Sequence, residues 1–292
     1  MDVVKMVQAN DPLKAFLDGV SIEVMPRTLA KIDDMKPLMA PGSRVYIAHI
    51  EGTEFADMLD AAKRLSADGF EVMPHFPSRL IADRATLEDR IKRYAGEAGV
   101  SSALVLGGAT AKPAGEYASS MQILETGLFE KHGFTRLHVA GHPEGNPDID
   151  RDGGTAEVDA ALLWKQDYAR QTGTEMAIAT QFAFDAKPVI AWAERLAAMG
   201  IALPIHVGVA GPAKLQTLIK YAVACGVGPS LSVLQKRAKD LTKLLKPFTP
   251  TEVASALAAH KAEHPESLIE KLHVFPLGGI QNSADWIGEK SA

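Results

Sequence analysis

Glu23 is the first residue in the chain whose type and setting suggest chemistry. It sits in the run Ser21-Ile22-Glu23-Val24-Met25, where strand alternation puts Ser21, Glu23 and Met25 on one face. A carboxyl group among apolar neighbours has its pKa raised and keeps a proton near neutrality. That would make Glu23 a general acid; the alternative is a glutamate ion-paired with a basic residue inside the fold. Gln181, in Ala179-Thr180-Gln181-Phe182, offers an amide that both donates and accepts, as a heterocycle edge requires, or else fills a hydrogen-bond network. His75, His142 and His206, with Glu144 nearby, raise a metal reading. They come from separate segments without the close spacing of a helical zinc pair, so no metal site is expected. The turns Gly208-Val209-Ala210-Gly211-Pro212 and Gly278-Gly279 sit where phosphate-cradling turns are found.

Positioning these residues falls to short β-rich runs, each followed by a stretch of helical period. The runs are Ser21–Val24, Arg44–His49, Phe70–Pro74, Ala103–Leu106, Thr135–Ala140, Met176–Phe182, Pro204–Val209 and Leu272–Leu277. Helical spacing covers Glu54–Ser66, Leu87–Ala98, Met121–Lys131, Ala156–Thr172, Pro188–Met199 and Lys214–Cys225. Extra helices are expected near the C-terminus, over Leu231–Leu245 and Pro250–His264. Asp83 or Thr86 suits the cap of the third helix, and Gly69, Gly133, Gly173 and Gly200 stand where helices should end.

Strand–helix alternation demands a parallel sheet. Eight units in 292 residues point to a single (β/α)8 TIM barrel domain over residues 1–292. An open doubly wound sheet would carry a glycine fingerprint in its first strand–helix turn, but that turn reads Met25-Pro26-Arg27-Thr28. In a barrel, function gathers at the C-terminal strand ends. Here those ends are Glu23, His49–Glu51, His75–Arg79, Gly107–Ala109, Gly141–Asn146, Gln181–Asp185, Gly208–Pro212 and Gly278–Gly279. None supplies a lysine, which disfavours Schiff-base chemistry.

Composition narrows the class further. Hydrophobic residues are 47% and charged residues 23% of the chain, as in an ordinary globular protein. The 31 Lys+Arg against 36 Asp+Glu leave a net charge of −5 with no basic block, which argues against a nucleic-acid partner. Cys225 is the one cysteine, so a reducing, cytoplasmic setting fits. Neither a signal peptide nor a membrane span is expected from the hydropathy pattern.

The run Val139-Ala140-Gly141-His142-Pro143-Glu144-Gly145-Asn146-Pro147 resembles the fifth-strand signature of methylenetetrahydrofolate reductases. Ala179-Thr180-Gln181-Phe182-Ala183-Phe184-Asp185 is similar to that family's sixth-strand motif, and Ser21-Ile22-Glu23-Val24-Met25-Pro26 to its first strand. The likeness continues in order through Gly115–Ser119, Leu203–Val209 and Phe275–Gly279. It implies a (β/α)8 oxidoreductase interconverting 5,10-methylenetetrahydrofolate and 5-methyltetrahydrofolate with NADH or NADPH, through bound FAD in most members. On that resemblance Glu23 takes the place of the general acid, and Gln181 and Phe184 those of substrate-contacting residues. His75, Leu106, Gly107, Tyr117, Ala118, Ser119, His142, Asn146 and Lys165 take the places of flavin contacts. The chain departs from the pattern at the fourth strand end, where Leu106-Gly107-Gly108-Ala109 replaces a typical Leu-Arg-Gly-Asp. His142 stands where many members have tyrosine, and Asn146 where they have histidine. Flavin-free hydride transfer and pterin-dependent methyl transfer are the competing activities.

Overall fold

The computed structural model describes residues 11–224, 234 and 247–292. Its strands are β1 (Ser21–Val24), β2 (Arg44–Ile47), β3 (Glu71–Pro77), β4 (Ser102–Leu106), β5 (Arg136–Gly141), β6 (Glu175–Ala183), β7 (Ile205–Ala210) and β8 (Ile269–Phe275). Each pairs in parallel with the next, and β8 returns to β1, so the sheet is a closed barrel. The (β/α)8 expectation holds. The helix expected over Leu231–Leu245 lies outside the described residues, Leu234 apart, as does Cys225. The other expected C-terminal helix is present over Thr251–Glu263.

Alternation along each strand divides the barrel into two interiors. Ile22, Val24, Val45, Ile47, Val139, Val207 and Val274 face outward and join the helices in one large core. Phe76 belongs to it, edge-on to Tyr94, Phe129 and Phe134 with ring centroids 5.0–6.2 Å away. Truncating a buried aromatic leaves a void that its neighbours fill only in part. Phe76→Ala is therefore expected to cost about 3–5 kcal/mol in urea denaturation; a loss below about 1 kcal/mol would show that this cluster relaxes freely.

Helix ends follow local chemistry. Asp83 Oδ1 accepts from Thr86 N at 2.7 Å, so Asp83 is the cap of the helix Arg84–Ala98. Asp185 Oδ1 does the same for Lys187 N at 3.0 Å, opening the helix Ala186–Ala198. The single helix expected over Met121–Lys131 is two, Ser120–Leu124 and Leu128–Lys131. Gly127 between them has φ 66°, a left-handed conformation no α-helix interior accepts. β3 runs on to Pro77 past the expected stop at Pro74, because a strand position can be held without a donated hydrogen bond. β8 begins at Ile269 rather than Leu272: the charged Glu270 and Lys271 belong to the strand, at its start.

Candidate active site at the barrel mouth

The lumen of this barrel is unusually polar for a position normally filled by branched apolar side chains. Ser21, Tyr46, His75, His138, His206 and His273 are all buried there, beside an apolar group of Met73, Leu104 and Ala179. Contacts between strands that are not neighbours identify the lumen. Tyr46 on β2 donates its hydroxyl to His138 Nδ1 on β5 at 2.6 Å, and the ring of His138 meets His206 of β7 edge-on at 4.7 Å.

Glu23 stands at the C-terminal side of this polar column. Its Oε2 is 3.3 Å from His75 Nε2 and 3.7 Å from His273 Nε2. His273 Nδ1 lies 3.0 Å from Ser21 Oγ, which is itself 3.4 Å from the Leu272 carbonyl. The Tyr46 ring packs between the two imidazoles, tilted against His273 at 4.3 Å and perpendicular to His75 at 6.3 Å.

This arrangement corrects the expected pKa of Glu23. Burial alone would raise it, but hydrogen bonding and charge from His273 and His75 outweigh burial and hold the carboxyl at about 2. His75 Nε2 forms no well-directed hydrogen bond, although it lies 3.3 Å from the carboxylate. His273 is pushed down by burial and drawn back up by Glu23. With Glu23 ionised, the His273 Nε2 proton faces it, while Nδ1 hydrogen-bonds with Ser21 Oγ. A proton for acid chemistry therefore has to reach Glu23 from its surroundings.

The other expected site residues divide into groups. Gln181 sits in a β-bulge, where β6 carries one residue more than β7 between Ala179 and Phe182. Its Oε1 accepts from Phe182 N at 3.2 Å, which turns the amide group back on its own strand and leaves the NH2 end for a ligand. Phe184 is buried, edge-on to Phe182 and Phe248 in a separate apolar cluster. His142 and Asn146 lie together, Asn146 Nδ2 being 3.5 Å from His142 Nδ1. Burial pushes the Lys165 ammonium down to about 8, and burial with the Lys165 charge pushes His142 down to about 4.

Leu106 and Gly107 end β4, and a Cβ on Gly107 would meet nothing within 4 Å. Arg79 ties the following loop down, its Nε donating to the Ala118 carbonyl at 2.9 Å. Ser119 caps the helix Ser120–Leu124, and Tyr117 is packed in the main core rather than turned to the mouth. His75 and His206 share the lumen, but His75 faces Glu23 and His206 faces His138, and His142 lies beside Asn146. Among the described residues, no three His, Cys, Asp or Glu side chains are grouped to hold a metal ion.

Sequence reasoning missed Tyr46, His138 and His273. The signal for His273 was available: the parity of β8 places it on the same side as Phe275, facing the Ser21–Glu23 side of β1.

A cavity of about 410 Å³ lies at the opposite, N-terminal end of the barrel, lined by Arg44, Glu71, Arg136, His138, His206 and Lys271 among others. Its charges are satisfied by one another. Glu71 pairs with Arg44 at 3.0 Å and Arg136 at 2.7 Å, and Lys271 Nζ donates to the Asp18 carbonyl at 2.8 Å. This end of a barrel serves stability rather than chemistry, so the candidate site is the Glu23 mouth and not this cavity.

The buried imidazoles make stability pH-dependent. Burial pushes His206 to about 3 and His49 to about 4, with cationic neighbours adding to both. His142 behaves alike. An unfolded chain binds protons at 6.5 that the folded one refuses. Stability is thus complete above that value and falls as pH drops toward 4, by about 1.4 kcal/mol per unit for each fully buried histidine. Glu23 adds a further loss below 4.5, as its paired carboxylate is protonated. Thermal melts from pH 7 to pH 4.5 should show a steadily falling Tm, and a flat profile would contradict neutral buried imidazoles.

No profile of a known protein family matches the chain. Among solved structures, an uncharacterized protein from Clostridium thermocellum, described as binding two copies of 5-methyl-5,6,7,8-tetrahydrofolic acid, is similar. It superposes with a TM-score of 0.61 at 10% identity, covering 96% of this chain and 99% of that one. The carboxyl transferase domain of Rhizobium etli pyruvate carboxylase reaches a TM-score of 0.44 at 10% identity, covering 98% of this chain and 49% of that one. The first likeness shows a shared fold. The chain is a (β/α)8 barrel with a carboxylate–imidazole cluster at its C-terminal mouth. Among the described residues, no helix is long and apolar enough to cross a membrane.

Proposed function

We propose that the protein is an oxidoreductase interconverting 5,10-methylenetetrahydrofolate and 5-methyltetrahydrofolate, with NADH or NADPH as electron partner. The observation that carries this reading is Glu23: a carboxylate set at the barrel mouth and held within reach of two imidazoles. Support also comes from the strand-end motifs and from the fold shared with a protein described as binding a methylfolate.

The substrate carbon bridges two nitrogens. Opening that bridge to an electrophilic iminium requires a proton on the departing nitrogen, and the Glu23 carboxyl is the group at the mouth that would deliver it. The Gln181 NH2 group orients the heterocycle. A hydride added to the iminium carbon completes the methyl group, and the reverse sequence oxidises it.

For FAD the telling residue is Lys165. Its ammonium is buried with no carboxylate paired to it among the described residues, beside His142 and Asn146. That donor set suits the phosphates and ribityl hydroxyls of a flavin, with open space at Gly107 for close approach. Bound there, FAD would supply a two-electron carrier between nicotinamide and folate. Direct transfer from the nicotinamide is the second reading. It is favoured by the uncharged end of β4 and by Tyr117 and Ser119 being spent on core and helix cap.

The test is an anaerobic assay with methylenetetrahydrofolate and NADH or NADPH, with and without added FAD. Nicotinamide oxidation matched by 5-methyltetrahydrofolate is the expected result. No methylfolate under any of these conditions rejects the proposal. Ping-pong kinetics support the flavin route, and a ternary-complex pattern supports direct transfer.

A further inference from the structure

We propose that His75 is a positioning residue of the proposed folate chemistry, holding on its Nε2 the proton that Glu23 passes to the substrate. The resemblance reads this position as a flavin contact; the geometry turns its ring toward Glu23 instead. The inference rests on the folate reading and deepens it at one atom.

Four observations converge. His75 Nε2 is the closer of the two imidazole nitrogens to Glu23, at 3.3 Å against 3.7 Å. That nitrogen is buried and has no well-directed hydrogen bond, an arrangement native structures rarely leave without a reason. A small rotation of the ring completes a direct bond to Oε2. His273, the other imidazole, is already committed through Nδ1 to Ser21 and is almost fully enclosed. Burial lowers its affinity for a proton. Finally, the His75 side chain is 10% exposed against 2% for His273, so it is the one nearer to a source of protons at the mouth.

The groups facing His75 are Glu23 from β1, Tyr46 from β2, His273 from β8 and His49 beyond the end of β2. Glu23 alone among them is an anion.

The step balances as follows. The His75 Nε2–H bond breaks and a Glu23 O–H bond forms, leaving a neutral imidazole and a carboxylic acid. The acid then gives that proton to the departing nitrogen as its bond to the bridging carbon breaks, which restores the carboxylate. The electron pair of the broken bond stays on the nitrogen. The hydride comes from the nicotinamide, directly or by way of the flavin. Solvent reprotonates His75 after release of the product.

The experiment compares wild type, His75→Gln and His75→Ala in methylenetetrahydrofolate reduction across pH, with circular dichroism confirming the fold. In the wild type, kcat should fall on the alkaline side, where the proton shared by the Glu23–His75 pair is lost. In His75→Gln, kcat should drop about 100-fold, KM should stay within about 3-fold, and that alkaline limb should vanish. Added imidazole should restore at least about 10-fold of the kcat lost in His75→Ala. An active wild type whose pH profile survives in His75→Gln, or a folded His75→Ala that imidazole does not rescue, overturns the assignment alone. A wild type inert toward methylenetetrahydrofolate overturns the folate reading and this inference with it.

Discussion

Glu23→Gln should lose folate turnover by about 10²–10⁴-fold, the range a positioned acid or base contributes, while folate still binds. Glutamine keeps the shape of the side chain and its contacts with the Tyr46-wedged imidazoles, but no proton can pass through an amide in place of a carboxyl. The acidic O–H of the carboxyl is what the substitution removes, at the group set beside His75 and His273. The loss should therefore appear in kcat, with the folate dissociation constant changed little. The substitution also takes away the anion facing His273, so that imidazole should release its proton more readily in the variant. Folate binding by fluorescence titration, pre-steady-state folate turnover and a thermal melt separate the outcomes. If folate affinity falls as far as turnover does, Glu23 positions the substrate; if the melt collapses, it holds the barrel together.

The sequence made the barrel legible because each strand carries its own signal. Outward residues such as Ile22, Val24, Val45 and Val139 alternate with lumen residues, and the intervening helices show a separate period. Ser21, Glu23 and Met25 could be put on one face from parity alone. The electrostatics of Glu23 could not be read in the same way. Its partners His75 and His273 lie about 50 residues and 250 residues further along the chain, and an isolated run reads only the apolar Ile22 and Val24 beside it. Those neighbours suggest a raised pKa, whereas the closed barrel brings imidazoles to the carboxylate and lowers it. Tyr46 was hidden for a similar reason: in Arg44-Val45-Tyr46-Ile47 it reads as a strand aromatic. Its role as a wedge exists only once β2, β3 and β8 surround one lumen. Tyr117 shows the converse, since a motif position gives no direction for the side chain, and here the ring is drawn into the core.

Gly208→Ala carries the second large effect, because the added methyl group has no place to go. A Cβ at this position would lie 2.6 Å from the Thr180 carbonyl oxygen and 2.7 Å from that of Gln181. It would also lie 2.7 Å from Phe275 Cε2. The Phe275 ring can turn away, but the two carbonyls belong to the bulge in β6 and move only with the backbone. Gly208 N also donates to Thr180 Oγ at 2.9 Å, so the same residue both pins the bulge and leaves room for it. Overpacking of this kind costs about 1–3 kcal/mol. Relief by displacing the bulge moves Gln181, whose amide is turned by its bond to Phe182 N. Reduced stability in urea should therefore accompany a raised KM for folate. Gly96→Ala, in the helix Arg84–Ala98, provides the contrast: its Cβ meets nothing within 4 Å. Restricting a helical glycine there should stabilise the protein by about 0.5–1 kcal/mol. Opposite signs for one chemical change would locate the effect in the space around the bulge. A Gly208→Ala protein as stable as wild type, with an unchanged KM, would mean that β6 and β7 accommodate the methyl group and that Gln181 is not held by this contact.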